Sequence, residues 1–266
     1  MGFQDKVAVV TGAAGTGAGG TGRAITRRLL EAGAKVVLVD LNEEAGRAFE
    51  KTLTEEGYNV LFVKCDISHI EDVQNVYSQA ETKYGRVDIL VNCAFRFESQ
   101  GHRILEGSID EWKAVMDVNI NGTYYMIRFG LPLLMKQERS AIVNVSSCAS
   151  IQSDPDTAAY GSAKGAVNTL TKCVAVQYGG DGVRCNAVLP GLILSSEMEQ
   201  YLRGNPYIEV LKRQSVAKKS YSSGDDVAQT VVFLADPDNE MLTGQLIVVD
   251  GGASVHNPAW SELVKK

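Results

Sequence analysis

Histidine is scarce in this 266-residue chain. His69, His102 and His256 are its three, too far apart in sequence to suggest shared ligation of a metal, and none is expected. The five cysteines, Cys65, Cys93, Cys148, Cys173 and Cys185, are odd in number and form no Cys-x-x-Cys pair. That pattern argues against a disulfide framework or a zinc site and for reduced thiols, as in a cytoplasmic protein. No apolar run approaches the roughly 18 residues that a membrane-spanning helix requires. The opening Met1-Gly2-Phe3-Gln4-Asp5-Lys6 has no basic stretch leading into an apolar one, so no signal peptide is expected. Lys6 stands where myristoylation would need Ser or Thr. Positive charge is also in deficit, with 26 Lys and Arg against 32 Asp and Glu and a net charge of −6. The basic residues are scattered, so nothing electrostatic draws the chain to nucleic acid or an anionic membrane.

What the chain does have is enough apolar residues, 45%, for a substantial core. They recur as short runs at 7–10, 36–40, 60–65, 87–92, 141–146, 183–189 and 246–250, mostly Val and Ile on consecutive positions. Consecutive apolar residues indicate strands buried on both faces, hence a parallel sheet covered by helices on either side. Helices are predicted over 22–31, over 71–84 after a candidate Ser68 cap, and over 110–118, 123–137, 159–178 and 225–235. This alternation is the plan of a doubly wound α/β sheet of about seven strands. No composition break, linker or internal repeat divides it, so residues 1–252 are read as one domain, followed by a tail at 253–266. Residues 196–220 depart from the plan. They mix Met198, Tyr201, Leu202, Tyr207 and other apolar residues with charges, and read as one or two short helices forming a lid.

The first strand runs into Thr11-Gly12-Ala13-Ala14-Gly15-Thr16-Gly17-Ala18-Gly19-Gly20-Thr21-Gly22-Arg23, and a helix follows. Glycines between a strand and a helix allow a tight turn and bring backbone N–H groups to a pyrophosphate at the positive end of the helix. The second strand ends in Asp40, 20 residues after Gly20, the offset expected for an acid bonding a ribose 2′-hydroxyl. Leu41 and Asn42, next in the chain, are uncharged. A carboxylate there without a nearby cation favours NAD over NADP. Asp66 ends the third strand and is read either as a contact to adenine or as a cap of the next helix.

Tyr160 and Lys164 are one helical turn apart and share a face. Oxidising an alcohol requires that its hydroxyl proton leave, and an ammonium beside a phenol favours the phenolate that would accept it. The fifth strand ends in Asn144-Val145-Ser146-Ser147, just upstream of that helix. Carboxyl ends of strands are where ligands bind in such sheets.

Together these motifs resemble the short-chain dehydrogenase/reductase family, in its short single-domain branch, over residues 6–252. The match rests on the loop at 11–22, Asp66, Asn92-Cys93-Ala94, Asn119 in Val118-Asn119-Ile120-Asn121-Gly122, Ser147, Tyr160-x-x-x-Lys164, Pro190-Gly191 and Asp250-Gly251-Gly252. The resemblance implies a Rossmann-type fold and an alcohol/ketone oxidoreductase. Tyr160 would be the acid/base, and Ser147 would hold the substrate oxygen, with Ser146 as the second choice. Lys164 would lower the Tyr160 pKa and bind the nicotinamide ribose. Asn119 would support a water relaying the proton to Lys164. The cofactor would lie along Gly12, Gly20, Thr21, Gly22, Asp40, Leu41, Asp66, Ile67, Asn92, Ala94, Tyr160, Lys164, Pro190, Gly191, Ile193 and Ser195. A homotetramer or homodimer is implied. The sequence departs from the family in two places: seven residues, 13–19, stand where the family has three, and Phe95 follows Ala94 where the family has Gly. Phe95 and Phe97, with Met198 and Tyr201 from the lid, suggest an apolar substrate. The competing readings are an NADPH-dependent ketone or 3-oxoacyl reductase and, from another class, a catalytically silent dinucleotide-binding sensor or scaffold.

Overall fold

Strand β1 (Val7–Thr11) is buried along its whole length, as an inner strand of the sheet. The computed structural model describes residues 2–15, 20–98, 103–257 and 259, without the side chains of residues 196 and 197. Within these residues β1 is joined by β2 (Lys35–Asp40), β3 (Val60–Lys64), β4 (Ile89–Asn92), β5 (Ser140–Val145), β6 (Val183–Pro190) and β7 (Leu246–Val249). All neighbouring pairs are parallel, in the order β3-β2-β1-β4-β5-β6-β7. The chain runs outward from β1 to β3, then crosses back to β4 on the other side of β1. That reversal opens a crevice at the carboxyl ends of β1 and β4, the switch point where ligands bind in such sheets.

The two-residue period of each strand sorts its side chains between two cores. Ala8, Val10, Val36 and Leu38 join helices α1 (Thr21–Glu31) and α9 (Gly224–Ala235), while Val7, Val9, Val37 and Val39 join α3 (Ile70–Tyr84), α5 (Thr123–Leu134) and α6 (Ala158–Tyr178). The doubly wound plan expected from the sequence is thus present, with helices on both faces. No helix among the described residues is long and apolar enough to cross a membrane.

Three local features differ from expectation. Helix α2 (Glu43–Glu55) is not among the expected helices, although the positions it buries, Gly46, Phe49 and Leu53, fall at helical spacing. Its signal is at its start, where Asn42 caps Ala45 N–H at 3.0 Å and Glu43 and Glu44 occupy the first turn. Helix α3 begins at Ile70 and is preceded by His69, whose side chain makes no capping bond. Ser68 is not the cap either; its hydroxyl donates to Asp66 Oδ1 at 2.6 Å instead. The helices expected over 110–118 and 123–137 are α4 (Ile109–Met116) and α5, joined by a π-helical turn over Asp117–Gly122. Widened turns of this kind are found mostly at functional sites, and Asn119, fully buried, sits in this one. The excursion after β6 contains α7 (Ser196–Tyr201) and α8 (Pro206–Gln214), the two short helices anticipated for the lid.

Candidate active site

The turn after β1 shows why glycine is needed there. Gly12 and Gly20 have φ of 66° and 68°, in the left-handed region that side chains disfavour. A Cβ on Gly22 would overlap the Gly12 carbonyl, and one on Gly12 would lie 3.0 Å from the Ala94 backbone. Thr11 fastens this turn to the end of β4, its Oγ1 accepting from the N–H groups of Cys93 and Ala94, each at 3.0 Å. Ile67 packs against Gly122 at the π-helical turn. Of the inserted residues, 16–19 lie outside the described ones, but Ala14 donates to Asp40 Oδ2 at 2.9 Å, so the enlarged loop starts against Asp40. Asp40 Oδ1 accepts from Asn42 N–H at 2.9 Å, and Leu41 is exposed. A cation that sequence distance concealed stands nearby: Arg23 donates to the Ala14 carbonyl at 3.0 Å and lies over the Phe49 ring.

Asp66 is bound by its own loop. Burial opposes its charge, yet the hydroxyl and N–H of Ser68 hold it below the ordinary carboxylate range. The Asn92 amide is spent inside the sheet, donating to Asn144 Oδ1 at 2.8 Å, while its own oxygen is buried without a partner among the described residues. Ala94, just past β4, borders the glycine turn.

At the carboxyl end of β5 the two serines separate by role. Ser146 Oγ donates to the Lys164 carbonyl at 3.2 Å, whereas the Ser147 side chain accepts from Ala149 N–H at 3.1 Å and lines the same cavity as Tyr160. Ser147 is therefore the serine beside Tyr160. Lys164, 3% exposed, donates to the Val145 carbonyl at 2.8 Å and lies 5.6 Å from the Tyr160 ring centre. Burial pushes the Lys164 ammonium down from 10.5 to about 8. The spacing predicts a lowered Tyr160, but burial raises this phenol above its ordinary value. The neighbouring Ser147 side chain opposes that rise, and Glu98 adds to it. Cys93 is no nucleophile, since burial pushes its thiol up to about 12. The Asn119 side chain is committed to backbone, donating to the carbonyls of Arg96 at 2.7 Å and Val115 at 2.9 Å, and Thr123 donates to its carbonyl at 2.8 Å.

Tyr160 and Ser147 face a cavity of about 830 Å³ that also reaches Thr21, Pro190, Gly191 and Ile193. The rest of its wall mixes apolar Phe95, Phe97, Met198, Leu202, Ile208 and Leu211 with polar Gln152, Ser153, Asp154, Gln214 and Asp250. Ile193 bridges to Ser222, and Ser195 caps α7 by accepting from Met198 N–H at 3.1 Å. Tyr201 corrects the sequence reading: it is 88% exposed and absent from the wall, because it lies about 100° around α7 from Leu202, which lines the cavity instead. The start of the tail also contributes, with Ala253, Ser254 and His256 lining the cavity, while Pro258 and Trp260 fall outside the described residues.

Comparison with known proteins agrees with this geometry. The family described as enoyl-(acyl carrier protein) reductase matches residues 15–254. The 7alpha-hydroxysteroid dehydrogenase of Bacteroides fragilis is 34% identical over 96% of this chain and 97% of its own. The meso-2,3-butanediol dehydrogenase of Serratia marcescens is also 34% identical, over 96% of each chain. The structure of a gluconate 5-dehydrogenase from Burkholderia cenocepacia, in complex with NADP and tartrate, superposes with a TM-score of 0.87 at 26% identity. It covers 96% of this chain and 97% of that one. The chain belongs to the short-chain dehydrogenase/reductase family and is an oxidoreductase of the alcohol/ketone class. The family binds a nicotinamide dinucleotide, and the tight glycine turn in which Gly22 packs on the Gly12 carbonyl at the start of α1 fits such a group.

Proposed function

We propose that this chain is an NAD-dependent dehydrogenase of apolar alcohols, and a reductase of the corresponding ketones, with Tyr160 as the acid/base. The observation that carries this reading is that Ser147 and Tyr160 line one cavity together with Phe95, Phe97 and apolar residues of α7 and α8. Gly12, Gly20, Thr21 and Gly22 would hold the pyrophosphate, and Asp40 and Leu41 the adenosine ribose. Asp66 and Ile67 would flank the adenine. Asn92, Ala94, Pro190, Gly191, Ile193 and Ser195 would line the nicotinamide end. When bound, NAD supplies the hydride acceptor.

Ser147 orients the substrate hydroxyl toward Tyr160 Oη, which takes its proton as the carbinol C–H bond breaks. In reduction Tyr160 returns that proton to the carbonyl oxygen. Burial keeps the phenol protonated in the free chain, a state suited to reduction. Lys164, mostly ammonium at neutral pH with its value near 8 and 5.6 Å from the Tyr160 ring centre, would favour the phenolate that oxidation needs. Asn119 would pass the proton onward through a water between its carbonyl region and Lys164.

Residues 1–252 would act as one catalytic domain in the cytoplasm, with 196–220 as a lid over the substrate. The exposed Ile109, Trp112 and Tyr124 on α4 and α5, and Val176 on α6, support a homotetramer or homodimer built on these helices. Light scattering at micromolar concentration tests that assembly, and a monomer would contradict it. The activity is tested by following NADH absorbance with a panel of hydroxysteroids, small diols and aryl alcohols. Turnover of an apolar alcohol with NAD is expected. NADPH-linked reduction of 3-oxoacyl substrates alone, or no turnover with any member, would contradict the reading.

A further inference from the structure

The chain after β4 is strapped across the active site at both ends. At its start, the Asn119 amide in the π-helical turn donates to the Arg96 carbonyl at 2.7 Å, and the Arg96 guanidinium reaches Glu111 of α4 at 3.5 Å. At its far end, Glu98 Oε1 accepts from two successive N–H groups in the first turn of α6, Ala159 at 2.8 Å and Tyr160 at 3.0 Å. Between them, the Phe97 ring lies 4.1 Å from the Tyr160 ring at an interplanar angle of 31°, and Phe95 meets both rings edge-on.

Helix α6 has no cap of its own. Thr157 occupies the cap position without making a side-chain bond to the first turn. Free N–H groups in the first turn of a helix need acceptors, and a carboxylate also meets the positive end of the helix dipole there. Glu98 fills that place from about 60 residues away, so the cap ties the strap to the residue that performs the chemistry. The other carboxylate oxygen, Oε2, is buried with no partner among the described residues. An oxygen kept from water without compensation is costly, which indicates a constrained position rather than a surface accident.

We propose that Glu98 is a positioning residue of the reaction: it clamps the first turn of α6 to the strap, fixing Tyr160 against Phe97 so that substrate meets the phenol from the Ser147 side. This rests on the reading of Tyr160 as the acid/base. Two consequences follow, one geometric and one electrostatic. Losing the acceptor frees the first turn of α6 and lets Phe97 leave the Tyr160 ring. Losing only the charge leaves the geometry but removes one of the negative groups facing the phenol. The titratable groups around Tyr160 are Cys93 after β4, Cys148 after β5, Lys164 on α6, and Glu98 itself. Both thiols are neutral at working pH, with values pushed up to about 12. Glu98 is thus the anion whose removal should ease formation of the phenolate.

The test compares wild type, Glu98→Ala and Glu98→Gln, using the best alcohol from the substrate panel with NAD across pH 6–10. Glu98→Ala should lower kcat about tenfold or more, a larger change than in the KM for NAD. Glu98→Gln should rescue most of kcat, because its amide oxygen still accepts both N–H groups. It should also move the acid limb of the oxidation profile to lower pH, as expected when a repelling charge is removed. The proposal is overturned if Glu98→Ala keeps kcat within about threefold, if Gln fails to rescue, or if the limb stays in place while only thermal stability changes. Tyr160→Phe is assayed alongside. An active Tyr160→Phe refutes the acid/base reading itself, whereas an inactive one beside wild-type-like Glu98 variants refutes this inference alone.

Discussion

Replacing Asp40 by Ser should remove the preference for NAD chiefly by weakening NAD. The carboxylate ends β2 beside the glycine turn, held there by Ala14 N–H and Asn42 N–H at 2.9 Å each. Among the described residues each oxygen accepts a single N–H, which leaves lone pairs for ribose hydroxyls, and a charge-assisted bond of that kind contributes roughly 1.5–3 kcal/mol. At about 1.4 kcal/mol per factor of ten, the wild type should favour NAD by roughly tenfold to a thousandfold once repulsion of a 2′-phosphate is added. Asp40→Ser also frees Ala14, so kcat/KM with NAD should fall by roughly ten- to a hundredfold, with NADP changing far less. Adding Leu41→Arg, at a position 62% exposed, should begin to reverse the preference. Arg23 is the group that could defeat this reasoning, since only Ala14 separates its guanidinium from Asp40. It is already engaged with the Ala14 carbonyl and the Phe49 ring, so Arg23→Ala should harm NAD and NADP use alike. The assay is kcat/KM with both cofactors for all four proteins. Equal efficiency, a wild-type preference for NADP, or a loss of NADP use alone in Arg23→Ala would refute it.

Gly22→Ala should abolish cofactor binding or folding, because its Cβ would overlap the Gly12 carbonyl; circular dichroism and NADH titration separate the two outcomes. Lys164→Met should inactivate the enzyme yet stabilise the cofactor-free chain at neutral pH. Burial lowers the ammonium from 10.5 to about 8, a cost of about 3 kcal/mol at 1.36 kcal/mol per unit. That cost is fully present below pH 8 and fades as pH rises toward the unfolded value, so the gain in Tm should be a few degrees at pH 6.5 and smaller at pH 9.5; a destabilised variant at pH 6.5 would contradict this. Tyr201→Ala should leave the substrate KM unchanged, while Leu202→Ala should raise it, since only Leu202 lines the cavity.

The sheet is legible in the sequence because its strands are buried on both faces, and unbroken short runs of Val and Ile fit little else than a covered parallel strand. Helix α2 is equally legible but is not among the expected elements: Phe49 and Leu53 share one face, and Asn42 followed by two acids marks its start. The spacing of Tyr160, Lys164 and Ser147 is local and can be read directly. The competition between Ser146 and Ser147 can be narrowed only by spacing, whereas in space the Ser146 hydroxyl bonds the Lys164 backbone and leaves Ser147 as the free serine on the cavity with Tyr160. Arg23, Thr11 and Glu98 escape the sequence for a shared reason: each acts across a distance that only the fold closes. The upward direction of the Tyr160 pKa is hidden on the same ground, since charge proximity shows in a sequence and burial does not.

The central claim, that Tyr160 is the proton carrier of an alcohol/ketone oxidoreductase, is tested most directly by Tyr160→Phe. The substitution deletes one oxygen and keeps the ring that packs on Phe97. Turnover should fall roughly a hundredfold or more, while NADH affinity by fluorescence titration stays within about twofold of wild type. A variant that retains more than a few per cent of the wild-type rate with NADH affinity intact would contradict the account.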